Sequence, residues 1–153
     1  MAKLPAEAPP EAPLDAPLGA FTGYLLKRAF NRVQDDLIRT LEPFGLRMLS
    51  FSALLVVARN PDITQTQLGQ ALSVERSNIA VLLDGLEESG LVTRNPVPGN
   101  RRAYALRATL KGRRTADKAA EAVRAHEARL FATLGDDHAA LRATLARFIA
   151  DSR

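Results

Sequence analysis

Apolar residues recur at four-residue steps from Phe21 through Leu25, Ala29, Val33 and Leu37 to Leu41. That period predicts an amphipathic helix over about 21–41, and Pro43-Phe44-Gly45 stops it, the glycine serving as a C-terminal cap. A second helix is predicted over about 47–58, broken at Asn60-Pro61. Thr64-Gln65-Thr66-Gln67 then matches a capping box, in which the Thr64 hydroxyl accepts from the Gln67 amide and the Gln67 side chain reaches back to the Thr64 amide. The short helix it opens runs to about Leu72. After Ser73-Val74, the residues Ile79, Leu82, Leu83 and Leu86 fall at i, i+3, i+4 and i+7 of a fourth helix, which Gly90 closes.

The period then changes. Leu91-Val92-Thr93-Arg94 reads as a short strand, 95–100 as a turn-rich loop and 102–106 as the returning strand of a hairpin. Thr109 caps a long helix to about Leu134. Gly135-Asp136 precedes a last helix whose Leu141, Leu145, Phe148 and Ile149 make one apolar stripe. The expected fold is mainly α with a small β-hairpin wing. Residues 1–19, with Pro5, Pro9, Pro10, Pro13 and Pro17, read as a flexible tail, since proline lacks the amide donor and fixes φ.

Composition narrows the class. Of 153 residues, 46% are apolar, enough to bury a core, and only 5% are aromatic, which favours packed helices over a β-sandwich. No cysteine is present, which excludes disulfides, thiolate metal sites and a thiol redox switch and fits a reducing cytoplasm. No leader and no apolar run of about 18 residues is found, so a cytoplasmic protein without a membrane partner is expected. The formal charge of +4 is modest. Between Arg94 and Arg114, however, stand Arg94, Arg101, Arg102, Arg107, Lys111, Arg113 and Arg114 with no acidic residue, an expected footprint for phosphate.

A short helix, a tight turn and a longer helix hold the second helix proud of the surface. An α-helix fits the major groove of B-DNA, about 12 Å wide, and its N-terminal residues reach base edges. Arg76, Ser77, Asn78 and, one turn on, Val81 are the candidates: arginine pairs with guanine, asparagine with adenine, and valine meets a thymine methyl. Thr64 and Gln65 open the preceding helix and are further candidate contacts, as is Arg94 on the first wing strand. Arg101 and Arg102 place guanidinium groups beside the wing tip, suited to a narrow minor groove where the potential is most negative, and Asn100, a further candidate contact, can order the tip through local backbone bonds.

Other chemistry is not encoded. His126 and His138 lie on separate helices without ligand spacing and are expected at the surface or in dimer packing, so neither metal nor cofactor is expected. No phosphate loop, nucleophile elbow or catalytic carboxylate pair is present, which speaks against an enzyme. A winged-helix module that binds protein instead of DNA is the alternative; such modules usually lose the basic wing that this chain keeps.

The stretch from about Gly45 to Gly112 resembles the multiple-antibiotic-resistance regulator (MarR) family of winged helix-turn-helix regulators. The likeness is carried by Leu68-Gly69-Gln70-Ala71-Leu72, by Leu86-Glu87-Glu88-Ser89-Gly90-Leu91-Val92-Thr93-Arg94, by Asn100-Arg101-Arg102-Ala103 and by Ala108-Thr109-Leu110-Lys111-Gly112. The chain departs from the pattern at Asn100, where an acidic residue is usual, at Ala108, at Gly69, where alanine is usual, and at Glu75, a weak N-cap that leaves Ser73 to cap. The resemblance implies a DNA-reading region over 46–108, with 20–45 and 109–153 forming the dimerisation helices. It implies a homodimer on a pseudo-palindromic operator with half-sites about 34 Å apart, acting as a repressor. It also implies release by a small effector, an aromatic carboxylate or its coenzyme A thioester, with Tyr24, Arg28, Arg47 and Phe51 as lining residues. The competing role for these is packing and interhelical ion pairing.

Overall fold

The computed structural model of the chain describes residues 13–97 and 100–151, with side chains at all of these except 100–103. Among the described residues, six α-helices and three strands follow in order: α1 (Thr22–Leu41), α2 (Met48–Arg59), β1 (Ile63–Thr64), α3 (Gln65–Leu72), α4 (Arg76–Glu88), β2 (Val92–Val97), β3 (Asn100–Ala108), α5 (Leu110–Leu130) and α6 (Asp137–Ala150). The expected class, mainly α with a small hairpin, holds. By internal contacts the chain forms two units, residues 1–33 and 34–153. Among the described residues no single helix is long and apolar enough to cross a membrane.

In the first unit, a 3-10 helix occupies Ala16–Ala20, with Pro17 in its first turn. The composition of 1–19 predicts a flexible tail, and the helix at Ala16–Ala20 departs from that. Proline tolerates a first helical turn because the missing N–H has no partner there anyway. Residues 1–12 of that expected tail lie outside the described residues. Phe21, just before α1, and Leu25, Leu26 and Phe30 along its first half stand 42% or more exposed.

The second unit holds the core. Leu54 and Val57 of α2, Leu68 of α3, Ile79, Leu83 and Leu86 of α4, and Val92 and Leu106 of the hairpin are buried together. Each such side chain contributes about 1.5–3 kcal/mol by leaving water. Ala116, Ala119 and Ala120 give α5 a small-residue face on this core. The closest approach comes at Gly112, where an added Cβ would sit 1.9 Å from the Leu91 carbonyl oxygen. Thr109 ties the same joint, its hydroxyl accepting from the Gly112 amide at 2.9 Å and donating to the Gly90 carbonyl at 2.8 Å.

The sheet departs from expectation in two ways. Strand order is β1-β3-β2, all antiparallel, and β1 pairs Ile63 with Leu106 and Thr64 with Ala105. Two residues carry no alternation to read, so only pairing with β3 reveals β1 as a strand. The hairpin is also longer: β2 continues to Val97 and β3 begins at Asn100, with a register shift between Pro96 and Val97. Pro96 is compatible because β2 is an edge strand, where a missing amide donor need not break a ladder. Residues 98–99 of the expected loop lie outside the described residues.

Toward the C-terminus the long helix ends at Leu130 and a 3-10 turn follows over Ala132–Leu134. His126 is not at a surface: it is fully buried and its Nδ1 lies 2.8 Å from Asp36 Oδ2, linking α5 to the second half of α1. His138 stacks on Phe131, with ring centroids 4.7 Å apart. Helix α6 buries none of its residues in this chain, and Leu141, Phe148 and Ile149 are all exposed.

Candidate nucleic-acid interface

The reading unit starts at the predicted capping box. Gln67 donates its amide to Thr64 Oγ1 at 3.2 Å, and the Thr64 amide donates to Gln67 Oε1 at 2.9 Å. The Thr64 hydroxyl also donates to Gln67 Oε1 at 2.9 Å, so Thr64 works first in fixing the start of α3. Three residues then turn the chain. Ser73 is in the left-handed region at φ 53° and ends α3, and the Val74 amide returns to the Gly69 carbonyl at 2.9 Å. Ser73 therefore does not cap α4. Glu75 holds that N-cap position without a side-chain cap bond.

Gly69 has a local reason. A Cβ there would stand 3.1 Å from the Val74 carbonyl oxygen and 3.4 Å from Ile79 Cγ1, so the usual alanine would press on the turn and on the base of α4. Gln65 and Gly69 line one side of a cleft of about 430 Å³, and Val74, Glu75 and Arg76 line the other.

Helix α4 shows its two faces clearly. Ile79, Leu83 and Leu86 are buried, while Arg76, Ser77 and Asn78 are exposed and Val81 is 72% exposed. An exposed apolar valine between polar positions has no packing role here and suits contact with a methyl group. The helix ends at Ser89, and Gly90 and Leu91 return their amides to Glu87 and Leu86 at 2.8 and 2.9 Å. Lys111 donates to the Ser89 carbonyl at 2.8 Å, a cation at the negative end of the helix dipole.

The basic stretch behaves differently in space than along the chain. Arg94 is not a free phosphate contact: its guanidinium binds Asp84 at 2.7 Å, Glu87 at 3.1 Å and the Ala80 carbonyl at 3.2 Å. It fastens β2 to the back of α4. Arg107 forks onto Asp62 at 2.6 and 2.7 Å, and this pairing holds the Asp62 carboxyl below the usual carboxylate range. Arg113 donates to the Ala108 carbonyl at 2.7 Å. The carboxylates that neutralise Arg94 and Arg107 come from outside the 94–114 window, so a one-signed segment becomes a mixed surface. Asn100, Arg101 and Arg102 open β3 immediately after residues 98–99; their side chains lie outside the described residues.

The four effector candidates fall in separate settings. In the first unit, the Tyr24 hydroxyl donates to Asp15 Oδ2 at 2.5 Å, and Arg28 pairs with the same oxygen. In the second unit, Arg47 is exposed and lines a cavity of about 730 Å³ with Gln34, Leu37, Ile38, Met48, Leu49, Ser52 and Leu72. Phe51 is buried in the core and does not line that cavity, so packing is its role. The periodicity of α2 explains it: Phe51 and Leu54 share the core face, whereas Met48 and Ser52 share the cavity face. Met48 and Leu49 stand four and three residues before Ser52, the spacing of one helix face, and that spacing is the signal for the cavity side.

Comparison with known proteins places this arrangement. A family model described as MarR family matches residues 44–103, the span from just after α1 into β3. The transcriptional repressor CouR bound to a 23-mer DNA duplex superposes with a TM-score of 0.83 at 36% identity, covering 91% of this chain and 99% of that one. The chain belongs to the MarR family. CouR from Rhodococcus jostii RHA1 bound to p-coumaroyl-CoA is similar at TM-score 0.76 and 30% identity, over 87% of this chain and 94% of that one. The HTH-type transcriptional repressor Rv2887 of Mycobacterium tuberculosis is 32% identical over 112 residues, 73% of this chain and 81% of that protein. A Thauera aromatica protein named for regulation of the hcr operon is 36% identical over 86 residues, 56% of this chain, and the match spans about half, 52%, of its length. Within the MarR family, then, α3 and α4 are the helix-turn-helix and β2–β3 the wing.

Proposed function

We propose that this protein is a cytoplasmic, sequence-specific repressor, and not an enzyme, that binds double-stranded DNA as a homodimer. Residues 46–108 read the duplex; 20–45 and 109–153 build the dimer. The observation that carries the reading is the division of α4, whose buried Ile79, Leu83 and Leu86 anchor an outward row of Arg76, Ser77, Asn78 and Val81. That row carries the donors and the methyl contact that major-groove reading needs. Arg101 and Arg102 on the wing supply phosphate or minor-groove contacts. Gln65, at the turn cleft, is a secondary contact to the backbone.

An aromatic carboxylate or its coenzyme A thioester releases the DNA. Support comes from the cavity beside Arg47, which offers an apolar floor of Leu37, Ile38 and Met48 and one exposed guanidinium, and from the p-coumaroyl-CoA carried by a CouR relative. The test is a gel shift on duplex from the gene's own upstream region, with a salt titration. Retardation is expected, with log K falling linearly with log salt. Asn78→Ala is expected to relax preference at one base position, a loss of about 1–3 kcal/mol of discrimination. Binding that ignores sequence, or that is indifferent to salt, overturns the reading. Release by p-coumaroyl-CoA or p-coumarate tests the effector separately.

A further inference from the structure

Asp15 does something unusual for its position. It is the N-cap residue of the 3-10 helix Ala16–Ala20, where an aspartate ordinarily accepts from the amides of the first turn, yet its side chain makes no cap bond. One of its oxygens instead accepts the Tyr24 hydroxyl at 2.5 Å and pairs with Arg28. Tyr24 and Arg28 lie one turn apart on α1, joined by a 3.2 Å hydrogen bond, with the guanidinium carbon 5.9 Å from the Tyr24 ring centre. A phenol and a guanidinium converging on a single oxygen form a carboxylate receptor. It is already occupied.

We infer that Tyr24 and Arg28 form a carboxylate-binding site in which Asp15 is a built-in competitor that an incoming small-molecule carboxylate displaces. The contact is well made for exchange. Within one chain the Arg28 side chain is 61% exposed and that of Asp15 35%, so neither is locked in by its own fold. Exposed ion pairs are weak and screened, which keeps the resident displaceable. Its tether across nine to thirteen residues nevertheless holds it at a high effective concentration. A ligand therefore binds in proportion to the fraction of time the receptor stands open. The lowered Asp15 pKa, caused first by the Tyr24 hydrogen bond, keeps the competitor ionised through neutral pH. The inference deepens the effector reading, which takes Tyr24 and Arg28 as ligand contacts.

The test is a titration of full-length protein carrying ring-labelled tyrosine with sodium benzoate, followed by NMR, with sodium chloride added at matched ionic strength as control. The chain has two tyrosines, and Tyr104→Phe assigns the signal of Tyr24. Benzoate should move the Tyr24 signal in the wild type. The midpoint should fall about two- to fivefold in Asp15→Asn and in Asp15→Ala, the range expected when an exposed ion pair is removed as competitor. Arg28→Gln should abolish the shift. Equal midpoints in wild type and both Asp15 variants, no shift in any, or a shift that chloride reproduces overturns the inference. DNA release by p-coumaroyl-CoA is scored apart. Release without any Asp15 effect sinks this inference alone, and benzoate competition without release by any effector sinks only the effector reading.

Discussion

Arg94 and Arg101 have the same side chain on neighbouring strands of one hairpin, yet different work is expected of them. Arg94 is only 20% exposed and is held by Asp84 and Glu87. Its removal should loosen β2 from α4 and cost about 1 kcal/mol of stability, because its partners remain half-exposed and screened. Melting of Arg94→Ala should register that loss, with weaker DNA binding as a consequence. Arg101→Ala should leave the melting temperature unchanged, weaken every duplex alike and reduce the salt slope by about 1, as loss of a phosphate contact does. An Arg94→Ala protein that melts like the wild type would remove its fastening role. The identities of Arg76, Ser77, Asn78 and Val81 could be read from one helical period. The neutralisation of Arg94 and Arg107 could not, because Asp84 and Asp62 are 10 and 45 residues away from them in sequence.

At the scale of elements, two joints decide how the reading helix is presented. At the first, α5 leaves the wing with no room for a side chain at Gly112, 1.9 Å from the Leu91 carbonyl. Gly112→Ala must push backbone against backbone, and a loss of about 1–3 kcal/mol or more is expected by chemical denaturation; Gly23→Ala, in an open setting, serves as control. The second joint is the His126–Asp36 bond between α5 and α1. The Asp36 carboxyl is held below its ordinary value, by Arg39 first and His126 second. Its contribution is therefore complete above the ordinary aspartate pKa of about 3.9 and is lost as pH falls through the lower folded value. Thermal melts from pH 7 to pH 2.5 should show acid destabilisation that Asp36→Asn diminishes, with Asp15 and Asp62 accounting for the remainder. An unchanged acid slope in Asp36→Asn would count against the bond. Thr109, the α3 capping box and the stop at Gly45 were all legible beforehand, because caps are local.

For the whole molecule, the open question is what covers the apolar surface that the single chain leaves in water. Helix α6 buries nothing, Phe148 and Ile149 are 64% and 58% exposed, and Phe21 before α1 and Leu25 and Phe30 on it stand at 50% or more. The proposed homodimer would bury this surface against a second copy and present two α4 helices to the duplex. Sedimentation should give a dimer. Ile149→Glu should shift it toward monomer and lower operator affinity by about 10²–10⁴, since two linked half-site contacts become one. A mutant that stays dimeric with full affinity would move the interface elsewhere.

By itself, the order of residues determined the helices, the caps at Gly45, Thr64 and Thr109, the outward row on α4 and the class of the fold. These depend on period and on neighbours within about four positions, which chain order preserves. Only the tertiary structure decided that β1 is a strand, that β2 runs through Pro96, that Phe51 belongs to the core and that Arg94 and Arg107 of the basic stretch are neutralised. It alone brought Asp15 onto Tyr24 and Arg28, and Asp36 onto His126. Each of those is a meeting of residues from separate elements. Electrostatic and packing energies depend on distance through space, and a linear sequence carries no record of that distance.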